Sequence, residues 1–276
     1  MNLRIVNTCN NDCLYCLEQS YRSKSDYINL KNIYSLLDKQ NNRKVLNFYW
    51  WNPLLHPNFI EIIQYAKQNW FENIGILTNS YWIKKENILN FKKYGLNSFG
   101  IYFNSFQEEK HNLIVWRNSI ELQHILKNIL LLKNNGFFVK IIIHINEQNI
   151  RSIYKDVLVL HKKYKINTFE FINYFPFDRP YNNYKEKLAY SYARNKKYIK
   201  FLFKVITISK IDVKFLKFSK DFFSEFKQFY SLEEWIIKQI WEEDIEILEW
   251  NHKPFCLIEK RCNSCFLKDK CKWYGL

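Results

Sequence analysis

Leu3-Arg4-Ile5-Val6-Asn7-Thr8, running straight into Cys9-Asn10-Asn11-Asp12-Cys13-Leu14-Tyr15-Cys16, is the stretch that decides the fold. Its first half is short, apolar and β-branched, the composition of a buried strand. Its second half packs three cysteines into eight residues, and no further cysteine occurs from residue 17 to residue 255. The other four, Cys256, Cys262, Cys265 and Cys271, lie close to the end of the sequence. Cysteines gathered at two ends with none between point to two inorganic sites, since core cysteines would be scattered. A metal-bearing loop at the end of a first strand fits an α/β fold, whose working sites lie at the carboxyl ends of parallel strands.

The rest of the chain carries that alternation forward. Residues 30 to 41 have helical apolar spacing, and 44 to 51 read as a strand closed by Asn52-Pro53. A helix from Pro57 to about residue 69 follows, with proline at its first turn, where a missing N–H costs nothing. Next come a strand at 74 to 77, a helix at 83 to 94 stopped by Gly95, and a strand at 98 to 104. Residues 119 to 135 form an amphipathic helix stopped by Gly136; then follow a strand at 137 to 145, a helix at 150 to 164 and a strand at 168 to 173. Strands alternating with helices imply βαβ units and a parallel sheet. Six of them fall short of a closed eight-stranded barrel, so the expected architecture is α/β, a partial (β/α)6 barrel.

Beyond about residue 180 the pattern changes. Residues 184 to 204 read as a helix, 212 to 218 have strand composition, and 232 to 248 form an amphipathic helix with an acidic stretch. The expected organisation is a core barrel over 1–180, a helical or mixed extension over 181–250, and a cysteine-rich tail over 251–276. A tail that short cannot hold a core without a staple or a metal.

Composition bounds the function. The chain has 276 residues, 47% of them hydrophobic, a globular profile. No segment approaches the roughly 18 apolar residues of a membrane span, and the N-terminus shows no apolar signal core, so a cytoplasmic location is expected. In a reducing compartment seven cysteines favour metal ligation over disulfides. The net charge of +15 permits a nucleic-acid partner, but the lysines are scattered in pairs and form no block, which favours a solvated surface.

Three thiolates at C-x3-C-x2-C are one short of a closed zinc site, although a His or Asp could complete one. On a four-iron cluster they leave one iron open, the arrangement catalysis needs. With an aromatic residue just before the last cysteine, and with its place after the first strand, this loop resembles that of the radical S-adenosylmethionine superfamily. Other segments resemble the superfamily in order. Asn52-Pro53-Leu54-Leu55-His56-Pro57 resembles its Gly-Gly-Glu-Pro segment leading into a helix, and Leu77-Thr78-Asn79-Ser80 resembles its Thr-Asn-Gly turn. Strand four ends in Asn104, and Glu109-Lys110-His111-Asn112 and Ser119-Ile120-Glu121 follow the typical connection to the next helix. The resemblance covers about residues 3 to 175.

It implies that Cys9, Cys13 and Cys16 hold a catalytic 4Fe-4S cluster, with Tyr15, Asn52, Thr78, Asn79 and Asn104 as candidate contacts to S-adenosylmethionine. It further implies reductive cleavage of that cofactor to a 5′-deoxyadenosyl radical that abstracts hydrogen from a substrate. Trp50-Trp51-Asn52 departs from the family pattern. Tryptophan hinders the close backbone approach that glycine allows, and Asn52 offers an amide where a carboxylate is usual. Tyr15 could equally be core packing. His56 reads as a helix N-terminal residue, and His144 as an inward-facing residue that can line the substrate cavity.

The spacing Cys256-x5-Cys262-x2-Cys265-x5-Cys271 supplies four thiolates and suits zinc or an iron–sulfur cluster equally. Led by Pro254-Phe255, it resembles the SPASM auxiliary-cluster tails of peptide-modifying members, in shortened form, which implies a second 4Fe-4S cluster, with zinc as the alternative. The implied substrate is a peptide or protein side chain, and the implied electron donor a flavodoxin or ferredoxin. A small molecule, RNA, and a non-catalytic iron–sulfur or zinc protein are the alternatives.

Overall fold

A computed structural model of the chain describes residues 1–16, 27–49, 52–115, 122–173, 188 and 192–216. Trp50 and Trp51, the tail cysteines Cys256, Cys262, Cys265 and Cys271, and the helix expected over 232–248 lie outside the described residues.

The strands are β1 (Asn2–Leu3), β2 (Val45–Phe48), β3 (Asn73–Thr78), β4 (Leu96–Tyr102), β5 (Phe138–Ile145), β6 (Thr168–Asn173) and β7 (Asp212–Leu216). All are parallel and lie side by side in sequence order, in one curled, open sheet. Between them run α1 (Leu30–Asp38), α2 (Phe59–Gln68), α3 (Ile88–Lys93), α4 (Glu108–Val115), α5 (Leu122–Asn134), α6 (Ile153–Tyr164) and α7 (Tyr192–Ser209). Sequential order with right-handed crossovers puts every helix on the same face of the sheet. The other face is therefore the inside of a partial barrel.

Side-chain alternation along the strands separates the two faces. Val139, Ile141, Ile143 and Ile145 of β5 and Phe169 and Phe171 of β6 join the buried core beneath the helices. Lys140, Ile142 and His144, and then Thr168, Glu170 and Ile172, alternate with them and face the lumen. Gly95 and Gly136 stop α3 and α5 at φ 83° and 77°, the left-handed conformation that ends helices and favours glycine.

Several elements differ from the sequence reading. A seventh strand, β7, completes the described sheet beside β6. Regular pairing of the first strand covers only Asn2–Leu3, although Ile5 and Val6 continue inward and are fully buried. Pro57 does not open α2; the helix begins at Phe59, and it is Pro53 that starts a preceding 3-10 turn, Pro53–Leu55. The connection after Asn104 contains a helix of its own, α4, which its weak apolar periodicity concealed.

Candidate functional site at the carboxyl edge of the sheet

The cysteine loop leaves the carboxyl end of the first strand and is fastened to the end of α4. The backbone N–H of Asp12 donates to the Val115 carbonyl at 3.2 Å, and that of Leu14 to the Ile114 carbonyl at 2.8 Å. These are the last carbonyls of a helix, which have no partner within it. Leu14 packs with Ile114 and Leu188, and the Tyr15 ring lies against the same cluster. The loop is thus held by both backbone and side chain.

Cys9, Cys13 and Cys16 form no disulfide, and each is half-buried. Burial pushes the Cys13 thiol up, and the neighbouring Cys9 and Cys16 push it further; hydrogen bonds from Tyr15 and Asn11 oppose this. Cys9 and Cys16 therefore each lie within electrostatic reach of Cys13. Among the described residues no three His, Cys, Asp or Glu side chains converge as ligands of a single metal ion. A four-iron cluster takes each thiolate on a separate iron and does not ask for that convergence.

Beside the loop lies a buried cluster of side-chain amides. Asn10 Oδ1 accepts from Asn52 Nδ2 at 2.9 Å and from Asn79 Nδ2 at 3.0 Å. Asn52 Nδ2 also reaches Asn79 Oδ1 at 3.1 Å, while Asn52 Oδ1 accepts from the Thr78 hydroxyl at 2.9 Å. Asn52 and Thr78 are 0% exposed, so each polar atom here depends on the others for its partners. The structure thus brings the expected residues Asn52, Thr78 and Asn79 together, joined through Asn10 to the cysteine loop. Asn104, at the carboxyl end of β4, is apart from this cluster. Its carbonyl accepts from Asn149 Nδ2 at 3.1 Å, and its own side-chain Oδ1 is buried with no hydrogen-bond partner.

Tyr15 stacks on His144 of β5, with ring centroids 3.9 Å apart and planes 13° from parallel, and His144 stacks in turn on Tyr102 of β4 at 6.0 Å. Tyr15 is therefore both packed and at the site's edge, and His144 lines the lumen. Burial holds the Tyr15 and Tyr102 hydroxyls well above the ordinary phenol range; the Cys13 thiol adds to this at Tyr15, and Glu170 at Tyr102. Below them Lys140 of β5 pairs with Glu170 of β6 at 2.5 Å, and Glu170 stands in register with Lys214 of β7. His56 is structural: Nε2 lies 3.1 Å from the Ile28 carbonyl, and Nδ1 accepts from the Asn58 N–H.

Behind the loop, Asp156 of α6 accepts from the Phe106 backbone N–H and bonds Ser105 and Ser152, tying down the segment that leads into α4. Burial pushes its carboxyl up to about 6. His111 on α4 is 1% exposed, has no partner at either ring nitrogen, and is pushed down to about 4 by burial.

Sequence reasoning missed Asn10, Asn11, Tyr102, Lys140, Glu170 and Asp156. Strand alternation marks Tyr102, Lys140 and Glu170 as lumen-facing once the register is known. Asn10 and Asn11 carry no such signal, because asparagines in a loop look like turn formers.

Similar architecture occurs in solved structures. SuiB of Streptococcus suis bound to the precursor peptide SuiA matches with a TM-score of 0.63 at 15% identity, covering 82% of this chain and 51% of that one. anSMEcpe with bound AdoMet and Kp18Cys peptide matches with a TM-score of 0.62 at 16% identity, covering 77% and 63%. Methylornithine synthase (PylB) matches with a TM-score of 0.57 at 16% identity, covering 77% and 64%. The chain spans between about half and two thirds of the length of these proteins. No curated protein sequence matches it significantly. The model of the Radical SAM superfamily matches residues 3–159, from the first strand through the cysteine loop and into α6. With more than half of its residues under that match, and its three-cysteine loop at the head of a parallel partial barrel, this chain belongs to the radical S-adenosylmethionine superfamily.

Proposed function

We propose that the chain is a radical S-adenosylmethionine enzyme acting on a peptide or protein side chain. The observation that carries the reading is the loop of Cys9, Cys13 and Cys16: three thiols in one loop, Cys9 and Cys16 both within electrostatic reach of Cys13, anchored on α4, at the edge where parallel strands deliver their site residues. The residues present suit the cofactors. Three cysteines leave one iron of a 4Fe-4S cluster open, and Asn104 Oδ1 is a buried acceptor without a donor, as a hydroxyl- or amine-bearing ligand requires.

When bound, the cluster and S-adenosylmethionine supply one electron and a sulfonium whose cleavage yields methionine and a 5′-deoxyadenosyl radical. The chain's part is to position and to exclude water. Asn52, Thr78 and Asn79 present amide and hydroxyl groups at the ends of β2 and β3, and Asn104 presents its oxygen at the end of β4. Tyr15, stacked on His144, walls the site on the β5 side. The Lys140–Glu170 pair, with Tyr102 and His144 above it, gives the lumen a polar surface that a substrate can meet.

A peptide is put first because SuiB and anSMEcpe, of similar fold, are peptide-bound and because the tail resembles those of peptide-modifying members. That tail would hold a second 4Fe-4S cluster on Cys256, Cys262, Cys265 and Cys271, with zinc as the alternative. A flavodoxin or ferredoxin in a reducing cytoplasm would supply the electron. No helix among the described residues is long and apolar enough to cross a membrane.

Anaerobic reconstitution followed by iron counting and assay for 5′-deoxyadenosine with dithionite tests the reading. About eight irons per chain fit two clusters, about four with zinc revise the tail alone, and Cys9→Ala is expected to lose about four. An iron count unchanged in Cys9→Ala, with no 5′-deoxyadenosine from the wild type, would sink the proposal.

A further inference from the structure

The amide cluster has a direction. The Ser80 N–H donates to Thr78 Oγ1 at 3.0 Å, and the Thr78 hydroxyl donates to Asn52 Oδ1 at 2.9 Å. Asn52 Nδ2 donates to Asn10 Oδ1 at 2.9 Å, and Asn10 Nδ2 donates to Asn11 Oδ1 at 3.3 Å. The Asn11 side chain then bonds the Cys13 sulfur, and the Asn11 backbone N–H lies 3.4 Å from the Cys9 sulfur. Each amide accepts through its oxygen and donates through its nitrogen, so every step points the same way, from the β3 end to sulfur.

Asn10 and Asn11 are 9% and 6% exposed, and Asn52 and Thr78 are 0% exposed, which shields the chain from competing water. In such surroundings successive hydrogen bonds polarise one another, each strengthening the next by about 10–30%. The chain ends on two of the three thiols of the cysteine loop. Hydrogen bonds to ligating sulfur are one of the levers by which a protein sets the potential of an iron–sulfur cluster, because they stabilise the more negative reduced form.

We propose that Asn10 and Asn11 are positioning residues that raise the reduction potential of the cluster held by Cys9, Cys13 and Cys16, and that Asn52, through its bond to Asn10, contributes to this potential from the end of β2. The inference rests on the cluster reading given above. It assigns Asn11 the contact with sulfur and Asn10 the link, so that a change at Asn52 is felt at the cysteines through one side chain.

The test is a redox titration of the anaerobically reconstituted full-length protein, followed by the electron paramagnetic signal of the reduced cluster. The signal belonging to this loop is identified as the one lost in Cys16→Ala. Asn11→Ala is expected to lower the equilibrium constant for reduction about ten-fold, which is about 59 mV for one electron. Asn10→Ala is expected to give a smaller fall in the same direction. Asn52→Ala is expected to lower the potential in the wild-type background and to have no effect in the Asn10→Ala background, the signature of coupling through Asn10.

An unmoved potential in Asn11→Ala, or an Asn52→Ala effect that persists without the Asn10 side chain, would overturn the inference while leaving the cluster reading intact. A wild-type protein with no signal lost in Cys16→Ala would instead refute the cluster reading. Where Asn11→Ala fails to retain iron, Asn10→Ala decides: a lowered potential supports the chain of hydrogen bonds, and an unchanged one refutes it.

Discussion

Asp156→Asn is the substitution that best reports how the cysteine loop is held. Asp156 is 6% exposed, and its carboxyl is moved from the ordinary 3.8 to about 6, chiefly by burial. A raised carboxyl value means that the folded chain binds the proton more tightly than the unfolded one. Stability from this group is therefore greatest below about pH 4 and is lost as pH rises through about 6. At about 1.4 kcal/mol per factor of ten, the loss approaches ~3 kcal/mol. Asparagine keeps an oxygen for the Phe106 N–H and cannot ionise. Urea unfolding of both proteins across pH 4 to 7 should thus give curves that meet near pH 4 and separate by up to ~3 kcal/mol at pH 7, the variant being the more stable. The reasoning is wrong if the difference between the two is flat with pH. The comparison with the variant is essential, because the wild-type profile alone hides the effect. Buried His111, pushed down to about 4, acts in the opposite direction over nearly the same range.

His111→Leu is expected to remove that second limb. Neutral histidine is favoured in the fold, so the wild type loses stability as pH falls from about 6.5 to 4, and urea unfolding should show the variant gaining up to ~3 kcal/mol over the wild type across that fall. Leu14→Ala deletes a side chain packed on Ile114 and Leu188 and should cost ~2–5 kcal/mol in urea unfolding, with faster alkylation of Cys13 in the iron-free protein. Asn52→Asp removes the donor to Asn10 and Asn79 and buries a carboxylate among amide oxygens. A loss of ~2 kcal/mol or more at pH 7, recovered as pH falls and the carboxyl regains a proton, is expected from unfolding curves; equal stability at all pH values would contradict the hydrogen-bond assignment.

The alternation of apolar runs made most of the fold legible, because strands such as 138 to 145 and helices such as 122 to 134 each bury one face and so carry a period. α4 did not, since a short helix starting Glu108-Glu109-Lys110 has little apolar face of its own; its role is set by the cysteine loop that leans on its last carbonyls. β7 reads as a strand by composition, yet its place in the sheet depends on pairing with β6, a contact with no local signature. The cysteines announced the candidate site. Its polar surroundings did not announce themselves, because Asn10, Asn52 and Asn79 meet from three separate segments and only their joint burial reveals one unit.

That unit changes what the asparagine at position 52 means. A carboxylate there, at 0% exposure, would need a cation to offset its loss of hydration, and without one the fold would carry the cost. The amides need no such help. Thr78, Asn52, Asn10 and Asn79 bond to one another, so the cluster is stable in itself and a donor arriving there must compete with bonds already made. Asn104 Oδ1 is different, since it is buried with nothing to give up. Any change at Asn52 alters the donors that lead through Asn10 and Asn11 to Cys13, so the ends of β2 and β3 and the environment of sulfur are parts of one hydrogen-bonded structure.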